Sequence, residues 1–229
     1  MIGLSCYILA DTFFVSKGLG SNGLAALNLA IPIYSFIHGS GLMIGMGGGT
    51  GFAVQKSRGE REEADRVFSL AFRLAAVLAA VFVLLGAFFS GKIVALLGAD
   101  QDVYQMSETY TQVILLFAPA FLLNDMFLCF VRNDGSPQLS MAAMLTGSMF
   151  NIVLDYIFIF PCGMGIFGAA LATGLAPIVS LIVLSPYFIK KKNTFHLVSL
   201  PRGGTGRRTA GILSCGLPSL ITECPPAWS

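Results

Sequence analysis

Charge is scarce in this sequence. Asp, Glu, Lys and Arg make up 11% of its 229 residues, where a soluble globular protein carries roughly a quarter. Too little polar surface is left to face water on all sides. With 55% hydrophobic residues and a mean hydropathy of +0.77, the chain must take lipid as its main solvent. Cysteine motifs are lacking too. Cys6, Cys129, Cys162, Cys215 and Cys224 stand without a CxxC pair or metal-ligand spacing, which excludes a disulfide framework and a zinc site and leaves them as helix-packing residues. The two histidines, His38 and His196, have no ligand-spaced partner and receive no role. No nucleophile and base stand together, so an enzyme is the weakest reading, and nothing points to nucleic acid.

What is there is a series of apolar blocks about as long as a membrane span, which takes roughly 20 residues. They cover 1–15, 24–54, 67–89, 104–131, 139–160 and 165–189, and another begins near Thr209. The joints, 16–23, 55–66, 90–103, 132–138, 161–164 and 190–208, carry the Gly, Pro, Asn, Asp or charge content of turns. The expected fold is therefore an all-α membrane protein, a bundle of six transmembrane helices plus the start of a seventh. The net charge of +2 hides an asymmetry. Lys56, Arg58, Arg61, Arg66, Arg132, Lys190, Lys191, Lys192, Arg202, Arg207 and Arg208 share one side, against Lys17 and Lys92 on the other, with Arg73 just inside the third block. The positive-inside rule makes the basic side cytoplasmic, in a cell inner (plasma) membrane. A signal peptide is a poor account of the first block, which has no basic n-region and places Asp11 where an apolar core should lie. The block is also short for a span, as though the front of its helix were missing.

Polar side chains within the blocks are few, and each costs at least ~2.5 kcal/mol on insertion scales if charged, so they are candidates for function. They are Asp11 in the first, Asn124 and Asp125 in the fourth, Asn151 and Asp155 in the fifth, and Thr173 in the sixth. Asn151 and Asp155 are four apart and so share a helix face, where an amide oxygen and a carboxylate can converge on a small cation. Ala169 and Thr173 repeat that spacing, and the short 161–164 joint makes the two helices antiparallel neighbours, so a hydroxyl and a backbone carbonyl can complete an oxygen cage. Polar side chains also act as glue between helices, which would account for Asn151, but glue needs no titratable group. Low dielectric disfavours an ionised carboxylate, and a buried aspartate can thus carry a proton. Asp125 lies a short way before Arg132 and Asp134, so pairing near the interface explains it as well as substrate contact does, and with Asn124 it is a secondary polar lining.

The glycine run Gly45, Gly47, Gly48, Gly49 and Gly51 lacks the Gly-Lys-Ser/Thr of a phosphate loop. The four-residue spacing of Gly41, Gly45 and Gly49 instead reads as close packing between spans. Pro119, Pro177 and Pro186 mark expected kinks. The 55–66 segment mixes Glu60, Glu62, Glu63 and Asp65 with its bases and reads as a solvated helix start.

In this order the residues carry a resemblance. They are Ala10-Asp11-Thr12-Phe13-Phe14-Val15, Gly18-Leu19-Gly20 and Leu24-Ala25-Ala26-Leu27, then the Gly45 to Gly51 run with Ala53 and Gly59-Glu60. Arg132-Asn133-Asp134-Gly135-Ser136-Pro137, Asn151-Ile152-Val153-Leu154-Asp155-Tyr156 and Gly168-Ala169-Ala170-Leu171-Ala172-Thr173 follow. Together they resemble the N-terminal half of a multidrug and toxic compound extrusion (MATE) transporter of the bacterial DinF-like branch, up to about residue 189. The resemblance implies two facing six-helix bundles, with a cation site in the N-terminal one at Asp11, Asn151, Asp155, Ala169 and Thr173. It implies binding of a proton or sodium ion there, no other cofactor, and coupled export of small organic, often cationic, compounds. It adds Asp11, which spacing alone does not place.

The domain reading that follows is a lobe over 1–189, a basic cytoplasmic inter-lobe loop over 190–208, and the start of a seventh helix over 209–229. Gly216-Leu217-Pro218-Ser219 fits the family and Cys224-Pro225-Pro226-Ala227-Trp228-Ser229 does not, which leads to the expectation of a fragment lacking its C-terminal lobe. Two alternatives stand beside a cation-coupled efflux antiporter. A flippase of lipid-linked saccharides would be expected to place basic residues mid-span, and none is found. The other is a non-functional truncated product.

Overall fold

The computed structural model describes residues 2–198 and 205–223, with side chains from 11 to 198 and from 209 to 222. The Cys224 to Ser229 tail and the side chain of Cys6 lie outside the described residues. Every regular element described is a helix: α1 (Ile2–Ser57), α2 (Arg61–Leu96), α3 (Gln101–Leu116), α4 (Ala118–Asn133), α5 (Pro137–Ile159), α6 (Gly165–Ile189) and α7 (Thr205–Glu223). Four stretches, Asp11–Ser57, Arg61–Leu96, Pro137–Ile159 and Gly165–Ile189, are long and apolar enough to cross a membrane, and the bent pair α3 and α4 makes a fifth.

Two joints differ from their sequence reading. The expected joint at 16–23 is helical throughout except at Gly20, whose φ of 69° and ψ of −157° only glycine adopts without strain. The arm before Gly20 rises with α5: Phe14 packs on Tyr156 and Phe160, and Gly18 lies against Ile159 with no room for a Cβ. The arm after it descends with α4, from Tyr34 against Phe121 through His38 against Asp125 to Lys56 against Asp134. The chain therefore reverses at Gly20. With the two arms counted separately, the six expected spans are accounted for, and α7 is the seventh. The fourth expected span is broken at Phe117 into α3 and α4, which meet at 48°. Pro119, in the first turn of α4, has no backbone N–H to continue the α3 ladder, and the Phe117 ring fills the space that Gly174 leaves on α6. Pro177 and Pro186, by contrast, leave α6 one continuous helix.

The cores form two apolar layers. One holds Val15, Ile37, Phe82, Leu122, Ile159 and Ala170, and the other Ile44, Phe68, Met126, Phe130, Ala143 and Leu184. Ser40 on α1, Asp125 on α4, Asn151 and Asp155 on α5, and Thr173 and Ser180 on α6 fall between these layers in sequence, whereas Asp11 and Ser140 precede the core residues of their helices. The surface is apolar where lipid would lie, as at Val77, Leu84, Phe88 and Ile182. Of the cysteines, Cys129 packs inside while Cys162 and Cys215 are exposed, so the packing role expected of all five holds for only one of these three.

Small residues set the approach of α1 to α4. A Cβ on Gly45 would sit 3.0 Å from the Asp125 carbonyl oxygen and 3.1 Å from Cys129 Sγ, and one on Gly49 would sit 2.6 Å from Asn133 Nδ2. The four-residue glycine stripe thus packs spans, as its spacing implies. Gly45→Val is expected to destabilise the chain by about 1–3 kcal/mol, the usual cost of overpacking, read as a lower melting point in detergent.

At the end of the bundle opposite Gly20, Asp134 is a hub. Its side chain is wholly buried and accepts from Lys56 Nζ at 2.5 Å, the Tyr187 hydroxyl at 2.8 Å, the Thr194 backbone N–H at 2.9 Å and the Thr194 hydroxyl. The end of α1, the α4–α5 turn, the last turn of α6 and the segment after α6 are thereby tied together. Phe195, 1% exposed, enters an aromatic cluster with Phe52, Phe68, Phe130 and Phe188. The ends of the second, fourth and sixth spans, with Lys56, Arg132 and the Lys190 to Lys192 stretch, thus gather at one end, while the side chains of Arg202, Arg207 and Arg208 lie outside the described residues.

Candidate functional site

On α5 the buried positions are Ser140, Ala143, Gly147, Asn151, Asp155 and Ile159, one face at intervals of three and four, while Phe150 and Val153 face outward. That stripe carries Asn151 and Asp155 inward, at 1% and 0% exposure. It packs on α6 because Gly147 lets the helices close until a Cβ there would lie 3.0 Å from the Ala176 carbonyl oxygen. Gly163 and Gly165, with φ of 60° and 62°, turn the chain between them.

The sequence-derived candidates come together in part. Asp11, on the first arm of α1, is buried and close enough to Asp155 for each carboxylate to feel the charge of the other. Thr173 is buried on α6, and its hydroxyl donates to the Ala169 carbonyl at 3.1 Å. That bond occupies the hydroxyl proton and one lone pair of Ala169, leaving the oxygen lone pairs of Thr173 to face outward from the bond. Of the eleven buried side-chain atoms with no hydrogen-bond partner among the described residues, five belong to these candidates: Asp11 Oδ1, both oxygens of Asp155, and Oδ1 and Nδ2 of Asn151. Leaving one such atom unmade costs about 1–3 kcal/mol. Three side chains on two helices share this deficit. Among the described residues no three His, Cys, Asp or Glu side chains gather for a transition metal. The side chains are two carboxylates, an amide and a hydroxyl, groups whose oxygens are the ligand type hard cations take.

Asn124 and Asp125 meet the candidates through a cavity of about 340 Å³ between α1, α4, α5 and α6, whose wall also includes Tyr34, His38, Ser180 and two of the candidates, Asn151 and Thr173. Asp125, 3% exposed, pairs with His38 rather than with Arg132: Nδ1 of the imidazole is 2.8 Å from Oδ2 of the carboxylate. His38 was passed over in the sequence because its partner is on another helix. The one signal available was Gly41, whose missing side chain admits the carboxylate, since a Cβ there would fall 2.7 Å from Asp125 Oδ2.

A bundle of apolar helices with buried carboxylates inside it defines the class, a polytopic membrane protein whose intramembrane carboxylates are candidates for function. The particular family follows from comparison. The MatE family model matches residues 1–157, and the chain belongs to that family, the MATE transporters. Multidrug export protein MepA of Staphylococcus saprophyticus is 29% identical over 217 residues, 94% of this chain and 48% of that protein, and the Staphylococcus aureus MepA is 28% identical over the same coverage. Among solved structures, an inward-facing multidrug resistance MATE transporter of the MOP superfamily is similar with a TM-score of 0.85 at 30% identity, over 95% of this chain and 50% of that one. A MOP superfamily transporter from Pyrococcus furiosus, described as having a binding pocket of reverse polarity, has a TM-score of 0.86 at 29% identity, over 97% and 49%. The chain thus spans about half the length of these relatives.

Proposed function

We propose that this chain is the cation-binding half of a cation-coupled exporter of small organic compounds, with a proton or sodium ion taken up at Asp155 and Asp11. The single observation that carries the reading is the set of unpartnered buried polar atoms on Asp11, Asn151 and Asp155. A carboxylate buried without a donor is stable only when protonated or when a cation replaces the lost water. Asn151 and the Thr173 hydroxyl add oxygens, and the Ala169 carbonyl holds that hydroxyl in place. Ion entry down its gradient would supply ~2.3 kcal/mol per charge per 100 mV.

In this reading the cargo class follows the multidrug export of the MepA relatives, and a second lobe completes the path between the two sides of the membrane. Residues 1–189 form the lobe, 190–208 the connection and 209–229 the start of the other half, with the basic joints cytoplasmic in the inner membrane. The test is a chimaera in which this chain replaces the corresponding half of S. saprophyticus MepA, expressed in cells stripped of other exporters. Ethidium export that collapses when the proton and sodium gradients are dissipated is the expected result. Export indifferent to both gradients, or no export from a correctly inserted chimaera, would refute the proposal.

A further inference from the structure

The cavity beside the carboxylate pair holds a second acid–base couple that the coupling site does not use. His38 and Asp125 face each other at 2.8 Å across α1 and α4, in a protein with only two histidines. The contact is built rather than incidental: Gly41, one turn along from His38, leaves the gap in which the Asp125 carboxylate sits. The Tyr34 ring stacks on the imidazole, with 5.9 Å between centroids and 8° between planes, and Phe121 closes edge-on against Tyr34. The same cavity presents buried polar atoms with no partner among the described residues, Asn151 Oδ1 and Nδ2 and Ser180 Oγ. The other titratable or charged groups on its wall are Tyr34 from α1 and Cys129 and Arg132 from α4. From α5 and α6 the polar contributors are Ser148, Asn151, Thr173 and Ser180, none of which titrates, and α2, α3 and α7 supply none of its described wall.

We propose that His38 and Asp125 form a second proton-exchange site, at which an organic cation entering the cavity and a proton on His38 compete for the Asp125 carboxylate. Imidazole is the side chain whose charge changes in the physiological range. With His38 protonated, Asp125 is already neutralised and the cavity wall attracts no further cation. With His38 neutral, the carboxylate is a lone negative charge facing space bounded by aromatic faces, which suits a bulky monovalent cation. Binding then exchanges one positive charge for another: the ligand takes the carboxylate, the proton leaves Nδ1 of His38 for water, and the charge of the cavity is unchanged. Competition of this kind is reciprocal, so each proton equivalent that weakens the ligand is in turn expelled by it. This rests on the organic-cation cargo proposed above, but it makes its own demand on His38, a residue outside the Asp11 and Asp155 site.

Tetraphenylphosphonium, which has no titratable group, serves as the probe for the full chain in detergent. Calorimetry in two buffers of different ionisation enthalpy counts the protons released on binding. The expected count is about one at pH values below the His38 titration, with affinity rising about tenfold per pH unit in that range. His38→Gln keeps a hydrogen-bond donor and is expected to abolish both the release and the slope, whereas His196→Gln, at an exposed side chain remote from the cavity wall, leaves both in place. If His38→Gln releases as many protons as the native chain, the competition is overturned while the cargo reading stands. If the native chain does not bind the probe, the cargo reading and the competition fall together. The exchange pair is then judged alone by imidazole NMR of His196→Gln, which leaves His38 as the sole histidine. A titration midpoint that moves on adding Asp125→Asn supports the proton site, and an unmoved midpoint overturns it.

Discussion

Asp155→Asn is expected to lower gradient-driven export by the MepA chimaera roughly 100-fold, equivalent to about 2.7 kcal/mol of lost coupling. The amide keeps the volume and one oxygen, but it can neither bind a proton nor neutralise a sodium ion. Among the described residues no other carboxylate can take its place: Asp155 is 0% exposed, and Asp11, at 7%, is the carboxylate whose charge acts on it. Asp11→Asn is expected to cost about tenfold, because the remaining Asp155 still offers one negative charge. Thr173→Ala removes one neutral oxygen among several and is expected to cost only a few-fold, about 1 kcal/mol, the net worth of one hydrogen-bonding group. The measurement is initial export rate against imposed gradient at matched expression. The order Asp155, Asp11, Thr173 is the signature of a shared cation site. Export by Asp155→Asn within about threefold of native would remove Asp155 from the coupling step.

The second large effect is structural. Asp134→Ala is expected to destabilise the chain by about 3–5 kcal/mol, the cost of breaking a buried ion pair by removing one partner. Lys56 Nζ, the Tyr187 hydroxyl and both donors of Thr194 would lose their common acceptor. Burial by itself would push the Asp134 carboxyl up, but hydrogen bonds from Lys56, from the side chain and backbone of Thr194 and from Tyr187 outweigh it and hold the group below the usual carboxylate range. A group depressed in the folded state contributes its stability above the unfolded value, about 3.9 for aspartate, and loses it as pH falls through the folded value. Native melting points should therefore drop on acidification below about pH 4, while Asp134→Asn, already low, should change little there. Melting within about 1 kcal/mol of native after Asp134→Ala would show that the hub does not hold the four elements together.

These two aspartates also mark how far the sequence could be read. Asp155 was legible because its partner Asn151 is on the same helix at a spacing of four, and because the apolar run around it leaves no bland use for a charge. The inward stripe of α5 and the glycine stripe of α1 are likewise properties of single helices, written in their own periodicity. Asp134 was read only as part of a Gly-Pro turn, since the side chains that make it a hub stand 53, 60 and 78 residues away. The His38–Asp125 pair was hidden for the same reason: its geometry depends on the register of α1 against α4, and only Gly41 hinted at it. The joint at 16–23 was over-read. Ser16, Gly18, Gly20 and Gly23 look like a loop, yet backbone groups away from water must satisfy one another, so the segment stays helical and breaks at Gly20 alone. The break at Phe117 was foreseeable from Pro119, whereas the unbroken course of α6 through two prolines was not.

The central claim is that Asp155, with Asp11, Asn151 and Thr173, binds a cation. Thermal melting of the purified chain tests it most directly, in sodium against choline and between about pH 8 and pH 6, for native and Asp155→Asn side by side. A ligand at 100 times its dissociation constant stabilises the folded state by about 2.7 kcal/mol. The account predicts a stabilisation of that order in the native chain, by sodium or by protonation, that Asp155→Asn loses. Equal responses from both chains, or a native chain unmoved by either cation, would contradict it.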